Sequence, residues 1–461
     1  MTLIVTSEFE LNRVVAPRLP AAPLGYEARY QDQLNDILRL YFNRLDNILG
    51  QLVATMDSLP VTIGGTNLDA FGRLRVSNPL TLFDSSHRYS DNNLWANSIT
   101  GTAAATFSAD EGLVNLTVGT ASGDQIIRET IKVFSYQPGK SLLVMSTFVM
   151  GDPKAGLRQR VGYYGAANGI YFERDGSVNY MVERSSVTGA VVNTRVAQAN
   201  WNQDPLDGTG PSGLVLDSSK AQILYMDVEW LGLGTVRTGF IINGAFVPCH
   251  NFDHANLVNT TYITTASLPL RYEMTNTAAT ASTSTLKQVC STVISEGGYE
   301  LRGAQLSAGN LITAPRTLTT AGTFYPVVSI RLKSTRLDAI AILTAVSILG
   351  ITNNANYKWE VVMQGTTTGG TWVSAGTNSG VEYNITGTAF SSTGGRILAT
   401  GFFQGSNQGS NSVDILKEAL FASQLERDPF TATAYELTLA CTAAANGNQV
   451  LGSVDWEEIS R

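Results

Sequence analysis

The stretch "GIYFERDGSVNYMVERSS", residues 169–186, constrains this chain more than any other. Apolar and polar residues alternate on both sides of an Asp-Gly pair. Alternation with a period of two places one face of a strand on a core and the other toward solvent. Asp-Gly reaches the positive φ of a primed turn, so the two halves read as a β-hairpin. The sign recurs at "INGAF" within "AQILYMDVEWLGLGTVRTGFIINGAFVPC", residues 221–249. Strand patterns continue at "GLVNLTVGT" (112–120), "KSLLVMSTFVM" (140–150), "TFYPVVSIRLK" (323–333), "YKWEVVMQG" (357–365), "GRILATGFFQG" (395–405) and "AYELTLACTA" (434–443). Strands with turn marks at such intervals predict antiparallel, jelly-roll-like β-sandwiches. No regular βαβ alternation is present, which disfavours a parallel α/β enzyme fold.

Composition agrees. Charged residues make up only 15% of the 461, and glycine numbers 43. Average soluble proteins carry roughly 25% charged residues. Abundant Ser, Thr and Asn suit the wet faces and turns of a β protein. The net charge is −7 and no block of Lys or Arg occurs, which argues against nucleic-acid binding. Three widely spaced cysteines, Cys249, Cys290 and Cys441, do not make a disulfide framework; they suit assembly in a reducing compartment. The N-terminus "MTLIVTSEFELNRVV" lacks the basic start and apolar core of a signal peptide. The longest apolar run, Ala339–Ile351, is shorter than the roughly 18 residues a membrane helix needs and reads as a buried element. Membrane insertion is not expected.

One segment breaks the β style. "YEARYQDQLNDILRLYFNRLDNILGQLVATM", Tyr26–Met56, has the only long helical pattern. Leu38, Leu45 and Leu52 recur every seven residues, as do Leu34, Tyr41 and Ile48. Together they form a heptad seam. Ile37, Leu40, Phe42 and Leu49 widen the apolar side, while Asp32, Asp36, Arg39, Arg44 and Asp46 lie off the seam. Either one amphipathic helix docks on its own domain, or copies form a short coiled coil, with a trimer favoured by the wide face. Before it, Pro17, Pro20 and Pro23 forbid helix and favour an extended arm, either docked on a neighbouring surface or free.

The predicted organisation is an arm (1–25), an oligomerising helix (26–56), a connector (57–92), a first sandwich (93–301), a linker (302–322) and a second sandwich (323–461). Short strands are expected at 60–63 and 73–76, and a short helix at 415–423. In the connector, Arg73 and Arg75 would share one strand face and pair with Asp69, Asp84 or a neighbouring subunit, and His87 would satisfy local hydrogen bonds.

Candidate chemistry is sparse. "CHNFDH" places Cys249, His250, Asp253 and His254 within six residues, a metal set only if helical. Asp204 and Asp207 sit in a Gly-rich loop without the closing Glu of a calcium site. Glu296 and Glu300 lie four apart, and Glu173, Glu183 and Glu229 are further acids that glycoside hydrolysis could use if held at a fixed separation. Trp95, Tyr163, Tyr164, Tyr171, Trp201 and Trp230 would form either a sugar platform or the core. No nucleophile elbow, zinc-protease motif, P-loop or dinucleotide fingerprint occurs, and no cofactor is expected.

The stretches "DAFGRLRVSNPLTLFDS", "QPGKSLLV", "AGLRQRVGYYG", "GIYFERDGS", "LDGTGPSG", "SKAQILYMDVEWLG" and "CSTVISEGGYEL", with the helix segment, resemble virion structural proteins of tailed bacteriophages, especially marine and cyanobacterial phages. The resemblance spans roughly residues 17–302. It implies a fibre, tail-associated or head-decorating component that binds other virion proteins, and no catalytic residues. The expected function is a homotrimeric appendage anchored by its N-terminus, presenting β domains to host glycan or protein. The alternatives are a capsid cement protein without a receptor and a particle-borne polysaccharide-degrading enzyme.

Overall fold

The computed structural model describes residues 28–58, 78–300, 302–405, 411–414 and 423–460. The arm with Pro17, Pro20 and Pro23, the short strands at 60–63 and 73–76, and Asp69, Arg73 and Arg75 lie outside the described residues, as does nearly all of the helix expected at 415–423. Among the described residues the fold is mainly antiparallel β, with one α-helix, Ala28–Ser58. The chain divides into two compact units, Met1–Val76 and Ser77–Arg461. The helix belongs to the first, and two β-sandwich bodies make up the second.

In the first body the strand Leu142–Val149 sets the pattern. Leu142, Val144, Ser146 and Phe148 are buried and the residues between them are not, as a period of two requires. It lies between Gln222–Val228 and Ser284–Ser295 in an eight-stranded sheet. Pro248 breaks no inner ladder, because Ala245–Phe252 is an edge strand of that sheet. Facing it is a seven-stranded sheet ordered Val192–Ala197, Val178–Ser185, Gly169–Asp175, Leu157–Tyr164, Leu270–Asn276, Gln125–Thr130, Trp95–Thr100. Phe148 and Phe240 from one sheet meet Phe172 from the other, with ring centroids 6.1 and 5.3 Å apart. Both predicted hairpins form: Gly176 and the Asn243-Gly244 pair take positive φ between paired strands.

This body starts earlier than expected. Leu80–Ser86, assigned to the connector, pairs antiparallel with Ser284–Ser295. Asp84 is exposed on that strand, while Leu82, Phe83 and Ser85 are buried.

The second body packs a five-stranded sheet on a seven-stranded one. Ile340–Gly350 is the buried apolar run read in the sequence, and it pairs with Asn448–Ser460. Val346, Val454 and Trp456 meet Val328, Val361 and Leu439 of the other sheet in one core. The stretch 302–322 is no linker. Ala304–Gly309 and Arg316–Leu318 pair with Asn448–Ser460 and complete the five-stranded sheet. Their partners lie at the far end of the chain, so nothing local in the sequence marks them as strands.

The two bodies are tied along residues 129–133. Arg427 donates its backbone N–H to Ile131 O (3.1 Å) and its guanidinium to Glu129 (2.9 Å). Gln424 Nε2 donates to Val133 O (2.9 Å), and Lys132 Nζ lies 3.6 Å from Glu426. Val133 packs with Ile340 and Ile342.

Candidate functional site

The outward face of the seven-stranded sheet in the first body carries one candidate acid, Glu173, and two candidate tyrosines, Tyr164 and Tyr171. Strand alternation puts them there. Val161 and Tyr163 enter the core, so Arg160, Gly162 and Tyr164 face outward; Phe172 enters it, so Tyr171, Glu173 and Asp175 face outward. Tyr272 and Met274 do the same for Arg271 and Glu273. The register places Arg160 between Glu173 on one neighbouring strand and Glu273 on the other.

The result is a continuous ionic lattice. Arg160 donates Nε to Glu173 (2.6 Å) and Nη1 to Glu273 (3.0 Å). Arg271 bridges Glu273 (3.0 Å) and Glu129 (3.2 Å). Arg195 reaches both Glu173 (2.5 Å) and Asp175 (2.8 Å). Through Glu129 the lattice continues to Arg427 of the second body. Tyr164 and Tyr171 lie ring to ring with centroids 4.4 Å apart, and the Arg184 guanidinium stands 5.4 and 5.2 Å from them.

Burial would push the Glu273 carboxyl up, but Arg271 and Arg160 outweigh it and hold it below the usual range. At Glu129 burial outweighs Arg427 and Arg271, and its carboxyl is raised. Burial drives the Tyr164 phenol far above its ordinary value. A glycosidase needs one carboxyl free to deliver a proton and a second free to attack or activate water. Here Glu173 and Glu273 are buried and both bonded to Arg160. What this lattice does physically is lock the register of adjacent strands and tie on the second body.

The other candidate acids are spread apart. Glu183 holds His254, Glu229 is exposed beyond a strand end, Glu296 accepts from Ser141, and Glu300 pairs with Arg302. Among the described residues no group of His, Cys, Asp and Glu is placed to hold a metal. Cys249 and His250 lie at a β-bulge in the strand Ala245–Phe252, opposite Thr238 and Gly239, and both are buried. Burial pushes the Cys249 thiol up to about 12. His250 accepts the Asn202 N–H (3.3 Å) and is lowered by burial. His254 lies beyond the strand, with Nδ1 2.6 Å from Gly234 O and Nε2 2.7 Å from Glu183. Burial alone would lower it, but the bonds to Glu183 and Gly234 raise it, because both partners accept and so favour the protonated ring, which can donate from both nitrogens. Asp204 accepts from Leu206 N and Ser212 N, and Asp207 from Thr209, which makes this segment a set of side-chain-capped turns.

Of the two readings of the aromatics, their burial excludes an exposed platform. Trp95, Tyr163, Tyr164, Tyr171 and Trp201 are buried, and Trp230 is half-buried against Tyr136. The sequence reading missed Phe402 of the second body, which is 77% exposed on a strand. A signal existed: in "TGFFQG" two adjacent phenylalanines on one strand must face opposite sides.

On the helix, Leu34, Leu38, Tyr41 and Leu45 are half-buried, and Leu40 and Phe42 are 62% and 61% exposed. The side chains of Ile48 and Leu52 lie outside the described residues. Among the described residues no helix is long and apolar enough to cross a membrane. His87 is buried and accepts the Asn92 N–H at Nδ1 (3.3 Å), the local bond expected of it.

No known protein family and no curated protein matches the chain. Among solved structures it is similar to the Bacteroides ovatus mixed linkage glucan PUL GH16 in complex with its product, at 12% identity and TM-score 0.33, over 46% of this chain and 99% of that one. It is similar to a carbohydrate esterase from the Shiga toxin-encoding bacteriophage phi24B, at 11% identity and TM-score 0.29, over 47% and 99%. A third is the CBM2 module of the Lactobacillus casei BL23 phage J-1 evolved Dit, at 3% identity and TM-score 0.32, over 49% and 100%.

Proposed function

We propose that this chain is a structural protein of a tailed-bacteriophage virion. In this reading it is a homotrimeric fibre or tail-associated appendage, anchored by its N-terminal segment, with its β bodies turned to the host surface. The helix carries the reading. Its described seam residues Leu34, Leu38, Tyr41 and Leu45 are only half-buried in the single chain, and Leu40 and Phe42 are largely exposed. An apolar stripe of that width calls for partners, and a heptad repeat selects copies of itself. The β bodies support the reading from the other side, since their buried charges are spent on each other rather than arranged around a reacting bond. Sequence resemblance to virion proteins supplies the particle. Trimerisation would multiply weak host contacts through effective concentration.

The test is the mass of the purified full chain in solution, with Leu38→Asp and Leu45→Asp combined as the variant. The expected result is a trimer for the unaltered chain and a monomer with unchanged β circular dichroism for the variant. A monomeric unaltered chain, or a variant that stays trimeric, overturns the role given to the helix. Cryo-electron microscopy of the virion then gives position and copy number. Density confined to the capsid surface would replace the host-attachment role with a cement role.

A further inference from the structure

The outward face of the seven-stranded sheet in the second body carries a short row that nothing above uses. Lys358 is paired across strands with Phe402 on one side and Thr442 on the other. Phe324 lies immediately before the strand Tyr325–Leu332, whose Tyr325 pairs with Cys441, so it flanks Thr442. The row therefore runs Phe324, Thr442, Lys358, Phe402. The Lys358 ammonium stands 5.5 Å from the Phe324 ring centroid and 5.9 Å from that of Phe402. Glu360, two residues along the same strand face, is buried and bonds Lys358 at 2.7 Å. The Thr442 hydroxyl is buried and has no hydrogen-bond partner. Thr400, opposite Glu360, is exposed.

We infer that this row is a binding site for neutral hexose oligosaccharides; it deepens the host-attachment reading by naming the ligand class and the face that takes it. A hexose has one C–H face and an edge of hydroxyls. Phe402 is an apolar plate left 77% exposed on a rigid strand, where burial against such a face gains most. Beside it, the partly exposed ammonium of Lys358 can donate to a sugar hydroxyl, and the buried carboxylate of Glu360 holds that ammonium in place. The two charges cancel, so the row has no net attraction for phosphate, uronate or nucleic acid. One exposed ring is far less apolar area than a stable copy-to-copy interface requires. A cationic guest would have to displace Lys358, which already sits between the rings. The site is shallow, so each copy binds weakly and several copies on one particle bind well.

The experiment uses the purified full chain on a printed array of glucose-, galactose- and mannose-containing oligosaccharides, with uronate-containing ones alongside. Surface plasmon resonance follows on those retained. The expected result is retention of neutral hexose oligosaccharides, lowered at least tenfold by Phe402→Ala and by Glu360→Gln. Phe402 is exposed, so Phe402→Ala should keep the fold and subunit count, checked by circular dichroism and solution mass. The inference is overturned if the unaltered chain retains no sugar or only acidic ones. Retention by Phe402→Ala within threefold of the unaltered chain also overturns it. So does a change of subunit count in Phe402→Ala with sugar binding intact, which would make the row a contact between copies. Binding is read on free protein: its loss leaves the virion role standing, and a monomeric chain that still binds leaves this inference standing.

Discussion

Acidification should loosen the first body through one residue, His87. It is buried, with the Arg128 guanidinium and the Asp91 carboxylate nearby. Burial first, then Arg128, lowers its pKa from 6.5 to about 4, and Asp91 only partly offsets them. The unfolded chain therefore takes up a proton near pH 6.5 that the folded chain refuses until about 4. Stability linked to His87 is fully present above the unfolded value and drains away as pH falls through that window. Integrating between pH 7 and pH 5 gives a loss of about 2 kcal/mol, or roughly twentyfold in the opening equilibrium. His250 is also lowered and adds in the same direction, while His254 is raised and opposes it. Comparison with His87→Gln cancels both. Native-state hydrogen exchange by mass spectrometry, corrected for intrinsic rates, reads the opening of peptides spanning residues 80–95. The unaltered chain should lose roughly twentyfold more protection than His87→Gln over those two pH units. Equal losses would show that His87 takes up its proton at the same pH in the folded and unfolded chain, and the reasoning fails.

Two further outcomes follow from the same sheet. At Gly162 an added Cβ would lie 2.5 Å from Ile170 O and 2.6 Å from Tyr171 Cα, both backbone of the paired strand. Gly162→Ala should cost at least about 3 kcal/mol and lower the melting temperature by several degrees; a melt within a degree of the unaltered chain would refute it. Glu129→Ala strands Arg427 and half of Arg271, and should cost about 3–5 kcal/mol, of which Arg427→Met in the same chain restores a large part. Additive losses in that double-mutant cycle would mean the two side chains do not interact across the joint.

What the sequence shows depends on how far a residue's partner lies along the chain. Asp175-Gly176 and Asn243-Gly244 are local chemistry, and both hairpins form as read. Ala339–Ile351 is legible because a continuous apolar run needs burial on both faces wherever it goes. Ala304–Gly309 failed as a linker reading because its partner strand closes the chain, and the composition of "RGAQLSAGNLITAPRTLTTAG" says nothing about a strand so distant. The lattice was hidden for the same reason. Glu173 and Arg160 are close in sequence, but Glu273 joins them only because Leu270–Asn276 inserts beside Leu157–Tyr164. The aromatics show a different limit. Tyr163 and Tyr164 are adjacent and face opposite sides, yet both are buried, one by the core and one by stacked arginines. Composition could not separate a platform from a core there.

The joint between the bodies bears on what each can do. A flexible tether would let the second body sample orientations and would dissipate any pull on it. This joint instead uses two hydrogen bonds to backbone, from Arg427 N–H to Ile131 O and from Gln424 to Val133 O, plus ion pairs at Glu129 and Lys132 that are nearly closed to water. Buried pairs of this kind contribute little net stability against apolar replacements, but they punish misalignment, because a shifted body leaves charges unpaired out of water. Burial lowers the Lys132 pKa, and Glu426 opposes it without outweighing it. A ligand held on the Phe402 row would therefore load the first body directly through residues 129–133, and the Arg160–Glu273–Arg271 lattice continues that load across the strands. The buried charges along this joint are placed where they hold the two bodies in one alignment.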